Sequence, residues 1–131
     1  MSHFTSVQTQ IFDLNCLEES LQQLDYEVQR ESVMRGWKGQ TRKVPLLARF
    51  KNSCPYDIGF TPEPETRAFQ MEADWWAIQD HLGLKQDFLV NQINQSYAYL
   101  KVIKEIKQRG FMIAEEKRDA QQGIRLVVRK W

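Results

Sequence analysis

The strictest pattern in this sequence is an alternation of apolar and polar side chains over residues 69–75. Four apolar residues at every second position (Phe69, Met71, Ala73, Trp75) are separated by three polar ones (Gln70, Glu72, Asp74). Successive side chains of a strand point to opposite faces, so this period of two predicts a strand with one buried face. Such strands are typical of an antiparallel sheet that is covered on one side.

The pair Trp75-Trp76 ends this pattern and leaves the place of the second indole open. Trp75 continues the apolar face and is predicted to lie in the core. Trp76 falls on the polar face if the strand continues, but Asp74 could instead cap a turn of helix over "WWAIQDHLGL". Trp76 then either covers a sheet edge or stays exposed as an anchor for a partner.

Two segments have the spacing of amphipathic helices. In residues 15–25 the leucines follow steps of three and four, and Asn15 is a candidate cap with Glu18 as its reciprocal partner. Residues 86–109 form the longest predicted helix, with Gly110 as its end. Its predicted buried stripe consists of Leu89, Ile93, Tyr97, Leu100 and Ile103.

The remaining segments read as strands joined by polar turns. Residues 3–12 predict a strand, residues 26–50 a hairpin with its tip near Gly36 and Gly39, and residues 111–131 a hairpin that turns near 119–123. In the second strand of the 26–50 hairpin, Val44, Leu46 and Ala48 are expected to share one face, and Pro45 favours an edge strand or a later start.

The predicted class is therefore α+β. We expect an antiparallel sheet of about six to seven strands with two helices packed on one face. A chain of 131 residues fits a single domain with its own core, over residues 1–131. The N-terminal "MSHFTSVQTQ" lacks the pattern of a secretory signal, and no apolar run is long enough for a membrane span, so we expect an intracellular protein.

Charge is balanced overall but segregated locally. The net charge of +1 argues against nucleic-acid binding by the whole surface. Cations nevertheless crowd the first hairpin tip around Trp37, which could grip phosphate, stack on a base, bind an acidic protein surface or simply solubilise the loop. A second basic strip (Lys101, Lys104, Lys107, Arg109) and an acidic group (Asp13, Glu18, Glu19, Asp25, Glu27) suggest a bipolar molecule.

The sequence contains no strong motif for catalysis, metal binding or phosphate binding. The histidines, His3 and His81, stand outside any metal-binding spacing, and no phosphate-binding glycine motif occurs. Cys16 and Cys54 form no CxxC motif and are expected to be reduced thiols, with a single disulfide as the alternative. We therefore predict no catalytic residue, no metal site and no cofactor.

Five motifs, in order, resemble a known family. "MSHFT", "YDIGF", "DWW", "YAYLKV" and "IRLVVRKW" resemble the hypothetical chloroplast reading frame 35 family of cyanobacteria and some algal plastids, a domain of unknown function. The resemblance implies a cyanobacterial cytoplasm or a plastid stroma. It implies no reaction, so no catalytic residue is carried over.

The sequence favours a non-enzymatic binding or assembly-accessory protein that acts through protein–protein recognition. Two surfaces are predicted: a sheet surface with Asp57, Glu72, Asp74 and Trp76, and a basic loop with Arg35, Trp37 and Lys38. One alternative is an RNA- or ribosome-associated protein that binds through the basic loop. Another is a small enzyme that uses the carboxylates near Trp75 and Trp76 as an acid–base pair. The identity of the partner and the oligomeric state stay open.

Overall fold

The computed structural model describes residues 3–118 and 124–130 and confirms the α+β class. The elements follow in the order β1 (Thr5–Val7), α1 (Leu14–Gln23), β2 (Tyr26–Arg35), β3 (Thr41–Phe50), β4 (Asp57–Pro62), β5 (Phe69–Ala73), α2 (Trp75–Leu82), α3 (Gln86–Gln108), β6 (Phe111–Arg118) and β7 (Ile124–Lys130). The turn predicted near 119–123 and the terminal Trp131 lie outside the described residues.

The strands of the described chain belong to two antiparallel sheets. The main sheet has the order β1-β5-β4-β3-β2, and β6 pairs only with β7. The expected single sheet is thus divided, because β6 follows α3 directly and packs beside that helix rather than along an edge of the main sheet. The strand expected over 3–12 is also shorter, since only Thr5–Val7 pairs with β5.

The core lies between the main sheet and the helices α1 and α3. Antiparallel register places Phe60 opposite both Leu46 and Met71, so these side chains share the inner face of the sheet. They join one buried cluster with Leu17 and Leu21 of α1 and with four of the five predicted stripe residues of α3, and the fifth, Ile103, is also buried. Both predicted helices therefore cover the same face, and α2 is a third helix that adds Trp75 and Ile78 to the same cluster. The opposite face of the sheet is here called the outer face.

Helix α1 begins one residue earlier than the leucine pattern suggested, and its cap is Asp13 rather than Asn15. Asp13 has an extended backbone, and its Oδ1 accepts the N–H of Cys16 at 3.0 Å. A capping side chain bonds to the N–H two or three residues further on, which Asp13 can reach and Asn15, already inside the helix, cannot. Asn15 instead accepts a hydrogen bond from Arg30.

Strand β3 changes its facing at Pro45. Leu46 and Ala48 lie in the main core, but Val44 packs with Met34 and Leu47 in a separate buried cluster on the outer face. The prediction that Val44 shares a side with Leu46 was wrong. Pro45 donates no ladder hydrogen bond, and its cross-strand neighbour Glu31 has a φ of 48°, so the alternation is interrupted there.

Pro45 lies in the arm of the β2–β3 hairpin that leads from the tip into the sheet. The strand begins before Pro45, so the later start was wrong. Its pairing with β4 covers only Leu46 to Arg49, so Pro45 lies in a segment that pairs with β2 alone and is locally an edge. Beyond it, the tip of the β2–β3 hairpin turns over the outer face, where an added Cβ on Gly36 would lie 2.7 Å from the ring of Phe4 and 3.5 Å from Cβ of Asp74.

Candidate functional site

The three predicted carboxylates occupy the outer face, but they are not solvated. Asp57, Glu72 and Asp74 are all buried, with exposed fractions of 0, 5 and 0%. A buried carboxylate is costly unless cations or N–H groups bond to it. Each of the three has its own set of such donors, and these donors come mainly from the hairpin tip and β3.

Asp57 holds two arginines. Arg35 donates through Nε and Nη2 at 2.9 and 3.0 Å and also through its backbone N–H at 3.0 Å. Arg49, directly opposite Asp57 in the β3–β4 register, donates through Nε and Nη2 at 3.1 and 3.4 Å. Burial raises the pKa of the Asp57 carboxyl, but the hydrogen bonds from Arg35 and Arg49 outweigh it and hold the pKa below its ordinary value.

Glu72 holds a third arginine, Arg42. The two form an ion pair through Arg42 Nη1 and Glu72 Oε2, with the arginine half exposed. The guanidinium of Arg42 also lies 5.3 Å from the ring centroid of Phe4, within the range of a cation–π contact. Phe4 in turn packs against the outer cluster around Met34.

Asp74 joins two segments of the chain. Its Oδ1 accepts the N–H of Ala77 at 3.1 Å, which caps α2 as the sequence suggested. Its Oδ2 accepts the backbone N–H of Trp37, in the hairpin tip, also at 3.1 Å. Trp75 is the first residue of α2, its indole is buried, and its Nε1 donates to the carbonyl oxygen of Thr5.

Trp76 and Trp37 form an aromatic pair at the surface. Their ring centroids are 6.2 Å apart at an interplanar angle of 71°, an edge-to-face arrangement that aromatic rings favour. Lys38 Nζ lies 4.5 Å from the centroid of the Trp37 ring. Trp76 keeps 59% of its surface exposed, so the structure answers the question that the sequence left open about this indole.

The two surfaces predicted from the sequence are one surface. Arg35 bonds to Asp57, Trp37 bonds to Asp74 and packs on Trp76, and Lys38 lies over Trp37. All seven predicted residues therefore lie on the outer face or at the tip that covers it. Sequence reasoning missed Arg49 and Phe4. The alternation of Arg49 with Ala48 could have placed Arg49 on the outer face, whereas nothing local marks Phe4.

Two of the four cations in the basic strip of α3 are paired with acids of the same chain. Lys101 pairs with Asp13 at 3.0 Å, and Lys104 pairs with Glu19 at 2.7 Å. Arg30 pairs with Glu18 in the same region. The expected separation of these acids from the α3 lysines was wrong, because packing α1 beside α3 brings the two groups together.

Both thiols and His81 lie in packed surroundings. Cys16 and Cys54 are free and buried, and burial raises the pKa of both thiols, so both are protonated near neutral pH. His81 packs edge-on against the ring of Tyr56. Within residues 3–118 and 124–130, no group of three or more acidic, histidine or cysteine side chains could hold a metal ion.

None of the helices in the described ranges is both long and apolar enough to cross a membrane.

The fold and this surface define a small α+β domain. Its outer face carries aromatic and basic residues that are held in place by buried carboxylates. The chain belongs to the DUF1257 family of proteins of unknown function, whose profile matches residues 20–127. The sequence-based resemblance to the chloroplast reading frame 35 family is confirmed, because similar proteins carry the name "Uncharacterized protein ycf35".

These relatives match over the full chain. The protein of Cyanophora paradoxa is 33% identical, that of Pyropia yezoensis 30% and that of Guillardia theta 28%. Each comparison covers 100% of this chain and 98% of the relative, and the relatives are plastid-encoded. No solved structure matches the chain.

Proposed function

We propose that this protein is a non-enzymatic binding module that recognises another protein through the Trp37–Trp76 pair. The observation that carries the proposal is the hydrogen bond between Asp74 and the backbone of Trp37. It fixes the hairpin tip against α2 and so orients two indoles of which one is mostly exposed. Tryptophan is over-represented among the residues that dominate binding energies.

Preorganisation is the physical advantage of this arrangement. Trp76 lies between the buried residues Trp75 and Ala77 in a capped helix, so its backbone is fixed before a partner arrives. A partner therefore does not have to order the chain, and less free energy is lost on association. Trp76 itself remains 59% exposed with Trp37 packed against it edge to face.

Charge around the pair favours an acidic partner. The carboxylates of the site are buried beneath it, whereas Arg35 and Arg42 keep 40 and 50% of their side chains exposed. Lys38 is exposed beside Trp37. A protein segment with an apolar centre and acidic residues around it would complement this patch.

The two alternatives have less support. RNA binding would use the basic loop. Two lysines of the second basic strip, however, are already paired with acids: Lys101 with Asp13 and Lys104 with Glu19. An enzyme would need a carboxylate that exchanges protons near neutral pH. Asp57 has a lowered pKa, which keeps the carboxylate ionised.

The plastid-encoded relatives support a site of action in the plastid stroma or the cyanobacterial cytoplasm. An assembly-accessory role in that compartment is part of the proposal. The chemistry of the patch fits a reversible contact between proteins, since exposed tryptophan and arginine side chains can be released again to water.

The test is affinity capture of the tagged protein from its native host, with and without nuclease and at raised salt. Trp76→Ala and Trp37→Ala should lose a stoichiometric protein partner that resists nuclease. Phe12→Ala is the matched control, because Phe12 is also 59% exposed but is not part of the pair. Retention of every partner by both tryptophan variants would overturn the proposal, and loss of all partners with nuclease would favour RNA.

A further inference from the structure

A depression in the outer face lies beside the Asp57 ion pairs and is separate from the tryptophan pair. It has a volume of about 680 Å³ and opens to solvent. Arg35 and Arg49 line it from the sheet, and the loop after β3 contributes Lys51, Asn52 and Ser53. This volume falls within the range of roughly 300–1,000 Å³ of small-molecule sites, and because the depression is open rather than enclosed, it suits a small polar ligand that stays in contact with water.

The two arginines present unused donors to this depression. Each guanidinium has five N–H groups, and both use the Nε–Nη2 edge on Asp57. Among the described residues, the Nη1 group of each arginine bonds to no protein acceptor. Such planar edges match the paired oxygens of a carboxylate or a phosphate and can bind them with two parallel hydrogen bonds.

The formal charges around the depression are balanced, with Arg35, Arg49 and Lys51 set against Asp57, Glu27 and Asp25, so the attraction for an anion comes from the free Nη1 groups rather than from a net positive charge. Asp57 carries one negative charge against the two positive charges of Arg35 and Arg49, and it is fully buried. Glu27 lines the same depression and lies opposite Arg49 in the strand register, but its carboxylate accepts from Gln29 and forms no ion pair within the described chain. Lys51 is paired with Asp25 at the rim.

We propose that this depression binds a small oxyanion-bearing molecule, a carboxylate or a phosphate ester, between Arg35 and Arg49. Asp57 is the positioning residue, because it binds both guanidinium groups through their Nε and Nη2 atoms. The Nη1 group of each arginine is left free for the ligand. Asn52 and Ser53 can bond to the remaining oxygens of the ligand. The site shares Arg35 with the protein-binding patch but includes neither tryptophan, so the contact proposed for Trp37 and Trp76 can fail without affecting it.

The test is isothermal titration of the purified full chain with inorganic phosphate, acetate and chloride at matched ionic strength. Saturable binding of phosphate or acetate, but not of chloride, supports the site, and the preferred anion distinguishes the two ligand classes. Arg49→Gln should weaken binding by about tenfold or more, because a charge-assisted pair of hydrogen bonds is lost. Arg30→Gln is the control, since Arg30 also pairs with a carboxylate but lies outside the depression.

Two further variants keep the test informative if Arg49→Gln unfolds the protein. Ser53→Glu places a negative charge in an exposed loop and should abolish binding while the circular dichroism spectrum stays unchanged. Glu27→Gln removes a neighbouring anion and should tighten binding a few-fold. Equal responses to chloride, or binding that Ser53→Glu leaves unchanged, would overturn the inference, and Trp76→Ala should bind the anion like the original chain.

Discussion

Asp74 and Trp37, 37 positions apart in the sequence, are joined by a 3.1 Å hydrogen bond from the backbone N–H of Trp37 to the Asp74 carboxylate. The other oxygen of the same carboxylate caps the helix that carries Trp76. One buried side chain therefore sets the position of both indoles. The geometry of the exposed pair depends on a residue that no partner can touch.

Removal of the Asp74 carboxylate should destabilise the fold more than removal of an ordinary helix cap. Asp74→Ala leaves two N–H groups without their acceptor, and we expect a loss of about 2–4 kcal/mol in the free energy of unfolding. Asp13→Ala, which removes the cap of α1, should cost about 1 kcal/mol. Urea unfolding measures both, and equal losses would contradict the bridging role of Asp74.

The lowered pKa of Asp57 gives a pH dependence with a definite sign. The folded pKa lies below the ordinary value of 3.8, so the stabilising contribution is present above that value and is lost as the pH falls through the folded pKa. Asp57→Asn should be destabilised by about 3–5 kcal/mol at neutral pH, because two arginines lose their shared anion.

The check on Asp57 is a series of urea denaturations between pH 7 and pH 2. The Asp57→Asn variant should lose less further stability on acidification than the original chain does. Glu63→Gln is a useful control, because the pKa of Glu63 is also lowered, by the backbone N–H of Thr66, but this carboxylate lies at an exposed turn. Parallel pH profiles for the Asp57→Asn variant and the original chain would count against a stabilising role for the Asp57 charge.

Gly59 leaves space for two side chains of the outer cluster. A Cβ at this position would lie 2.9 Å from Sδ of Met34 and 2.9 Å from Cγ1 of Val44. Gly59→Ala should therefore cost about 1–3 kcal/mol through overpacking. Met34→Ala creates room beside this position, so the double variant should lose less stability than the sum of the two single losses. Thermal and urea unfolding measure this coupling. Additive losses would contradict the contact between position 59 and Met34.

The ionisation of Tyr26 should lower the stability of the fold only in alkaline solution. Burial raises its pKa to about 12 from the ordinary value of 10.0. The neutral phenol is favoured by folding, so its contribution is complete below the ordinary value and is lost as the pH rises towards the folded pKa. Tyr26→Phe should be less sensitive to pH over that interval, as measured by unfolding at about pH 9 and about pH 11.5. An unchanged slope would assign the alkaline loss to other groups.

Local patterns predicted the elements, and long-range contacts decided the site. The periodicity of residues 69–75 and 86–109 indicated a strand and a helix, because burial of one face leaves a repeat in the sequence. It also placed Trp75 in the core and allowed Asp74 to cap a helix. The union of the hairpin tip with the carboxylates was not predictable, since it depends on a change of facing at Pro45.

Other differences have the same origin. Arg49 was overlooked because its role arises from the β3–β4 register, which places it opposite Asp57. Asp13 caps α1 in place of Asn15. Aspartate and asparagine both favour the N-cap position, so residue type could not distinguish two residues that lie two positions apart. The separation of the β6–β7 pair from the main sheet depends on how that pair packs on α3, which strand patterns do not encode.

The change of facing at Pro45 makes the outer surface sensitive to the length of β3. Removing one residue between Val44 and Leu46 would restore simple alternation but shift every residue of the tip by one position relative to the sheet. Arg35, Trp37 and Arg42 would then lose their alignment with three carboxylates at once. Substitutions in this strand can be absorbed one at a time, whereas an insertion or deletion there would dismantle the entire surface in a single step.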